Sequence, residues 1–277
     1  MTAFRLAGVI GWPIGHSRSP VLHGHWLRRH GIAGAYLPLA VPPEKLGEVL
    51  RALPFLGYAG VNLTVPFKAA ALPFLDRIDR HSMRLGSVNT VVVTAQRLLE
   101  GFSTDGPGFL ADLRQRAPLW RPDRPVVVLG AGGAARAIIG SLLDAGVSSL
   151  RLANRSLARA QAVASDFASG VEVIAWERRH DALDDAGLLV NCTSLGMVGQ
   201  PELDFDPAGL PSDAVVYDIV YNPLETPLLA AARRRGLIAL DGLGMLMHQA
   251  RPGFASWFGV QPEVDEELRQ ALLGTLS

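Results

Sequence analysis

Short runs of apolar residues alternate, along almost the whole 277-residue chain, with stretches whose apolar positions recur every three or four residues. The first pattern predicts buried strands and the second amphipathic helices, and their alternation predicts α/β architecture. Residues 6–12 (LAGVIGW) read as a strand. Residues 20–31 read as a helix, with Pro20 at its first position and Gly31 at its stop. A strand at 34–41, a helix at 42–53 and a third strand from residue 60 follow. The segments VNTVVVT and RLLEGFST (88–104) predict a hairpin turning near Ala95 and Gln96.

After Asp105 a helix is expected at 106–117, then a strand, glycine turn and helix at 125–146. Strands are expected at 150–154, 171–175, 188–194, 215–220 and 236–242, and two helices, 243–259 and 262–273, close the chain. A second βαβ series begins soon after residue 105, so two domains are expected: 1–104 with 243–277, and 105–242. The last two helices would pack back on the first domain. There is no internal repeat and no low-complexity linker.

Composition narrows the partners. Lys plus Arg equals Asp plus Glu, at 26 each, so there is no electrostatic case for nucleic acid or an anionic membrane. A lone cysteine, Cys192, rules out an intramolecular disulfide and a CxxC metal site, and no metal is expected. The N-terminal apolar run is short and broken by Pro13, unlike a signal peptide, and no stretch has the length of a membrane span. A soluble, cytoplasmic protein is expected.

The segment VVVLGAGGAARA carries Gly130, Gly132 and Ala135 in G-x-G-x-x-[G/A] spacing, after an apolar strand and before a helix. There, glycines let the backbone approach a pyrophosphate at a helix N-terminus. The plainer reading is a tight turn with close helix–sheet packing. An NAD site places Asp or Glu about 20 residues on, to bind the ribose hydroxyls. This chain has Asn154, Arg155 and Ser156 instead. Arg155 can pair with a 2′-phosphate, and Arg159, one helical turn on, adds a second charge, so NADP is favoured.

Four polar clusters mark the first domain: GHSRSP (15–20), GVNLTVPFK (60–68), GSVNT (86–90) and GFSTDG (101–106). In the first, an extended backbone would point Ser17 and Ser19 the same way, and Ser19 before Pro20 is a good helix N-cap. In the second, Asn62 and Thr64 share a strand face, Pro66 ends the ladder, and Lys68 follows. Asn89 lies in a strand, and Asp105 ends the hairpin. Together these groups suit a small, anionic, polyhydroxylated molecule. A lysine beside a nicotinamide can protonate the alkoxide that hydride transfer develops, with a nearby aspartate orienting it. A structural salt bridge is the alternative.

The motifs GWPIGHSRSPVLH, GVNLTVPFK, GSVNTVV, STDGPGF, GAGGAARA, NRS, NCTSLGM, YDIVYNPLETPLL and DGLGMLMHQARPGFASWFG cover almost the whole chain. In this order they resemble the shikimate dehydrogenases. The resemblance implies reduction of 3-dehydroshikimate by NADPH in aromatic amino-acid biosynthesis, on a substrate domain joined to a Rossmann domain. It implies that Ser17, Ser19 and Thr64 hold the substrate carboxylate, and that Asn62, Asn89, Asp105 and Gln249 bind the ring hydroxyls. Lys68, paired with Asp105, would be the acid/base, and Tyr221 a substrate contact. Gly130, Ala131, Gly132, Gly133 and Ala134 would cradle the pyrophosphate, and Asn154, Arg155 and Ser156 the adenosine phosphate. Thr193, Ser194, Met197 and Gly244 would lie near the ribose and nicotinamide. Such an enzyme would be a monomer or homodimer. Trp12, Gly24, Leu63 and Ser103 depart from the commonest family pattern. A quinate/shikimate dehydrogenase, often NAD-preferring, and a non-catalytic NADP-binding module are the alternatives.

Overall fold

The computed structural model describes residues 4–275 apart from residue 168. They form two compact units, Met1–Thr104 with Leu246–Ser277, and Asp105–Met245. Both units are α/β, as the alternating pattern predicts.

The first unit runs β1 (Arg5–Gly11), α1 (Ser19–Arg29), β2 (Gly34–Ala40), α2 (Leu46–Ala52), β3 (Tyr58–Leu63), α3 (Phe67–Ala70), β4 (Arg77–Ile78), α4 (Arg80–Leu85), β5 (Thr90–Val93) and β6 (Leu99–Phe102). Its sheet has the order β2-β1-β3-β5-β6-β4. Strands β1, β2 and β3 are parallel, whereas β5 runs antiparallel to β3 and to β6. The β5–β6 hairpin is the one expected, its turn closed by Thr94 N–H to Leu98 O (2.9 Å). One apolar layer packs Ile10, Leu50, Val61, Leu63, Phe67, Val88 and Val91 together. A second group is aromatic: His23, Trp26, Tyr36, Phe254 and Trp257.

The second unit runs α5 (Asp105–Arg116), β7 (Val126–Leu129), α6 (Gly133–Asp144), β8 (Leu150–Ala153), α7 (Leu157–Ser165), β9 (Val171–Ile174), β10 (Leu188–Asn191), β11 (Val215–Asp218), α8 (Pro227–Arg234) and β12 (Ile238–Leu240). Its sheet is wholly parallel, in the order β12-β11-β10-β7-β8-β9. Counted from β7 this is the 3-2-1-4-5-6 order of a doubly wound dinucleotide fold, whose ligand crevice lies where the order reverses, at β7 and β10. All four residues of β7, β10 and β11 are buried, as helices on both faces require.

Helices α9 (Leu243–Phe258) and α10 (Glu266–Leu273) end the chain. Their residues from Leu246 on belong to the first unit. Trp257 Nε1 donates to Val91 O (3.0 Å), Trp26 Nε1 donates to Glu263 O (3.0 Å), and Arg29 pairs with Asp265. Gly60 makes the first of these possible, because a Cβ there would collide with Val91 O and the Trp257 indole nitrogen.

The helix expected at 42–53 is split. Pro43 pushes Pro42, before it, into extended backbone (ψ 142°), so no helix starts at 42; Pro43–Lys45 form a 3₁₀ turn and α2 starts at Leu46. Helices α3, α4, α7 and α8 go beyond the sequence reading. For three of them a signal was present, beginning with Asp79, which caps α4 through Ser82 N–H (3.0 Å). Ser156 caps α7, and Thr226 before Pro227 caps α8 through Leu229 N–H (3.3 Å).

Candidate active site

In the first unit, Asn62, Asn89 and Gln249 come together from β3, the residue before β5, and α9. Asn62 is buried, as its place in the central strand of an apolar sheet dictates. Its amide donates to Asn89 O (3.0 Å) and Thr90 Oγ1 (3.1 Å), and its Oδ1 accepts from the Tyr36 hydroxyl (2.6 Å). Asn89 Oδ1 accepts from Thr104 N–H (2.9 Å) and the Thr90 hydroxyl (3.0 Å). Asn89 Nδ2 donates to Thr104 Oγ1 (2.9 Å) and Gln249 Oε1 (3.2 Å). Each group is satisfied inside the unit, as buried amides must be.

The two serines reach this cluster by a route the sequence reading does not give. Their backbone is a turn, closed by Ser17 N–H to Ile14 O (3.0 Å), with Arg18 in helical geometry. Ser19 is the first residue of α1 rather than its cap; Arg18 holds the cap position and makes no side-chain cap bond. Ser17 Oγ accepts the Ser19 N–H (3.3 Å), and the Ser19 side chain lies beside the Tyr36 phenol. Relieved of capping, Ser19 stands beside Tyr36, which bonds Asn62. Burial pushes the Tyr36 phenol well up, so it stays protonated and donates to Asn62.

Thr64 stands one residue past β3, its N–H still bonded to Ile10 O (3.0 Å), and half-buried Lys68 lies in α3. The Lys68 carbonyl accepts the N–H of Val88, Asn89's chain neighbour (2.8 Å). Asp105 follows Thr104 directly in the chain and is the buried first residue of α5, rather than the last residue of the hairpin.

In the second unit, the turns after β7 and β10 lie side by side at the point where strand order reverses. Gly130 has φ +102° and donates its N–H to Ala153 O (2.8 Å). A Cβ there would stand 3.0 Å from Cys192 backbone and Thr193 Cγ2, so glycine is required on both counts. Gly132, the cap position of α6, has no side-chain cap and open space where a Cβ would stand. Uncapped N–H groups beside an open cradle fit a phosphate. At the end of β8, Asn154 Nδ2 bonds Ser156 O (2.9 Å), and Arg155 and Arg159 are exposed beside them. Two open guanidinium groups with no carboxylate between them fit a 2′-phosphate.

Three buried residues that sequence reasoning passed over hold the β10 turn. Asn191 Oδ1 accepts from Thr193 N–H (3.0 Å) and the Thr193 hydroxyl (2.7 Å), while its Nδ2 donates to Asp218 (2.9 Å). Asp218 also accepts from Val220 N–H (3.0 Å) and the Thr226 hydroxyl (2.8 Å). Burial pushes the Asp218 carboxyl up to about 6 in spite of these donors. Val198 N–H to Asn222 O (3.0 Å) ties the turn bearing Ser194 and Met197 to the loop that carries half-buried Tyr221. Gly244 has a packing reason of its own, since a Cβ there would strike the Asp112 carboxylate. Tyr36, Thr90 and Thr104 were equally passed over in the first unit. An apolar strand context conceals Tyr36, whereas Thr90 and Thr104 sit inside quoted motifs without a role read for them.

No helix among the described residues is long and apolar enough to cross a membrane. Residues 9–91 match the family described as shikimate dehydrogenase substrate binding domain, and residues 118–198 the family described as shikimate / quinate 5-dehydrogenase. The chain is 58% identical over 275 residues to a shikimate dehydrogenase (NADP(+)) of Rhodospirillum rubrum, covering 98% of this chain and 97% of that one. Among solved structures it is similar to shikimate 5-dehydrogenase of Thermus thermophilus in complex with NADP(H) and shikimate. That likeness has a TM-score of 0.87 and 35% identity, over 98% of this chain and 100% of the other. It is also similar to quinate dehydrogenase of Corynebacterium glutamicum in complex with NAD, with a TM-score of 0.90 and 34% identity over 98% and 100%. With a buried amide cluster in one unit, a phosphate-fitting glycine turn in the other and a relative matching from end to end, this chain belongs to the shikimate dehydrogenase family.

Proposed function

We propose that this chain reduces 3-dehydroshikimate to shikimate with NADPH, reversibly, and that Lys68 paired with Asp105 handles the proton. The observation that carries the reading is the amide cluster. Asn62, Asn89 and Gln249 are polar groups gathered beside an apolar core layer and held in place by hydrogen bonds, the setting of a polar binding site. In this reading Asn62, Asn89, Asp105 and Gln249 bind the ring hydroxyls, Ser17, Ser19 and Thr64 take the carboxylate, and Tyr221 adds a further contact. Bound NADPH supplies the hydride to the ketone carbon. Lys68 gives the developing alkoxide its proton, and in the reverse direction takes it from the hydroxyl. Gly130 to Ala134 receive the pyrophosphate, Asn154, Arg155, Ser156 and Arg159 the 2′-phosphate, and Thr193, Ser194, Met197 and Gly244 border the ribose and nicotinamide. Net charge of zero and a single buried cysteine support a cytoplasmic setting with no nucleic-acid partner.

The test is kcat/KM for shikimate and quinate, each with NADP and with NAD. Shikimate with NADP is expected to give the highest value. A higher value for quinate with NAD would overturn the reading. Negligible turnover in all four combinations, with ligand binding intact, would favour a non-catalytic module.

A further inference from the structure

Thr90 opens β5, has no exposed surface, and hydrogen-bonds both asparagines. Its hydroxyl works in both directions, accepting from Asn62 Nδ2 (3.1 Å) and donating to Asn89 Oδ1 (3.0 Å). We propose that Thr90 is a positioning residue that links the two amides and holds them in the orientation that two backbone groups set, presenting Asn62 as acceptor and Asn89 as donor. The proposal rests on the reading that these two asparagines bind ring hydroxyls.

A carboxamide can turn end for end with little change of shape, so something must break the tie. Two backbone groups do so. Asn89 C=O can only accept, and it takes Asn62 Nδ2 although it already accepts Leu63 N–H (2.8 Å). Thr104 N–H can only donate, and it needs Asn89 Oδ1 (2.9 Å). Between the two amides an Nδ2–H therefore faces an Oδ1 from either side of one position. Only a hydroxyl can serve both, as acceptor to one and donor to the other. On the far side of the pair, Asn62 Oδ1 bonds the Tyr36 hydroxyl and keeps a second lone pair. Asn89 Nδ2 sends one proton to Thr104 and the other along a longer bond to Gln249 Oε1, which a ligand hydroxyl can replace. Thr90 joins these two ends. Its β-branched shape suits the strand, and valine matches that shape without the hydroxyl.

The test compares wild type, Thr90→Val and Thr90→Ser by calorimetric titration with shikimate and by steady-state kinetics. Thr90→Val is expected to weaken shikimate binding about tenfold, the scale of one or two neutral hydrogen bonds. KM for shikimate should rise in step, with kcat held within about threefold and KM for NADP unchanged. Thr90→Ser should restore binding to within about threefold of wild type. Unchanged shikimate affinity in Thr90→Val overturns the proposal, provided Asn62→Ala and Asn89→Ala weaken binding. If those two alanine variants bind normally, the site reading itself fails. A lower melting temperature with equal changes in both KM values, not rescued by serine, marks a purely structural role and also overturns it. Should Thr90→Val not fold, Thr90→Ala takes its place under the same criteria, and failure of both to fold counts against the proposal.

Discussion

His23 offers a direct test of how the first unit is held together. Its imidazole is wholly buried, stacked on the Tyr36 ring at 3.9 Å and 8°, with Trp26 edge-on at 5.8 Å. Among the described residues neither ring nitrogen has a hydrogen-bond partner. Burial lowers its pKa from 6.5 to about 3, because a cation there would lose its hydration and gain nothing. The unfolded chain therefore binds a proton below about pH 6.5 that the folded chain refuses until about pH 3, so stability rises with pH across that window. His23's contribution is complete above 6.5 and drains away as pH falls. At about pH 5, 1.5 units below the unfolded value, the loss is about 2 kcal/mol.

Asp218 runs the other way. Its folded pKa of about 6 lies above the ordinary 3.8, so its ionisation destabilises the fold as pH rises through 6. The two slopes partly cancel in the wild type, and a single pH curve would conceal both. The decisive perturbation is His23→Phe, which keeps an aromatic ring in the stack. Any misfit of the larger ring shifts the whole curve without tilting it. Urea unfolding of both proteins between about pH 7.5 and 5 gives a difference in which Asp218 drops out. That difference is expected to swing by about 2 kcal/mol in favour of the variant toward low pH. Parallel curves across the range would refute the reasoning.

Other outcomes follow from the two clusters. Lys68→Met should lower kcat by about a hundredfold or more, the usual scale for a general acid, and normal turnover would remove Lys68 from the chemistry. Arg155→Ala should raise KM for NADPH about tenfold or more and leave KM for NADH nearly unchanged, because only NADPH carries the phosphate. An equal rise with both cofactors would place Arg155 elsewhere. Gly130→Ala should lose about 1–2 kcal/mol from its positive φ and weaken both cofactors, read by thermal melting and by cofactor titration. Retention of full stability would mean the turn can relax.

How far the sequence reveals the site depends on whether a residue's role lies in its neighbours along the chain or across the sheet. The glycine turn was legible because its constraint is local. Gly130, Gly132 and the start of α6 are consecutive, and a strand before and a helix after them suffice to interpret them. The place of Asn154–Arg155–Ser156 at the end of the next strand was legible for the same reason. The Ser17–Ser19 pair was half legible. The two residues share one turn, but Pro20 admits either of two helix starts, and the local sequence does not tell which one places Ser19 inside α1. Asp105 shows the same limit at a boundary, since its place as the first residue of α5 is set by the helix that follows. Thr90 and Asp218 lie inside quoted motifs, but their roles were illegible. A threonine at the head of TVVV and an aspartate at the end of VVYD read as ordinary strand residues. Their importance lies in partners 27 or 28 positions away, Asn62 for one and Asn191 for the other, which only strand register brings alongside. The residues that would touch ligand announce themselves through motif spacing. Those that aim them are set by which strands become neighbours.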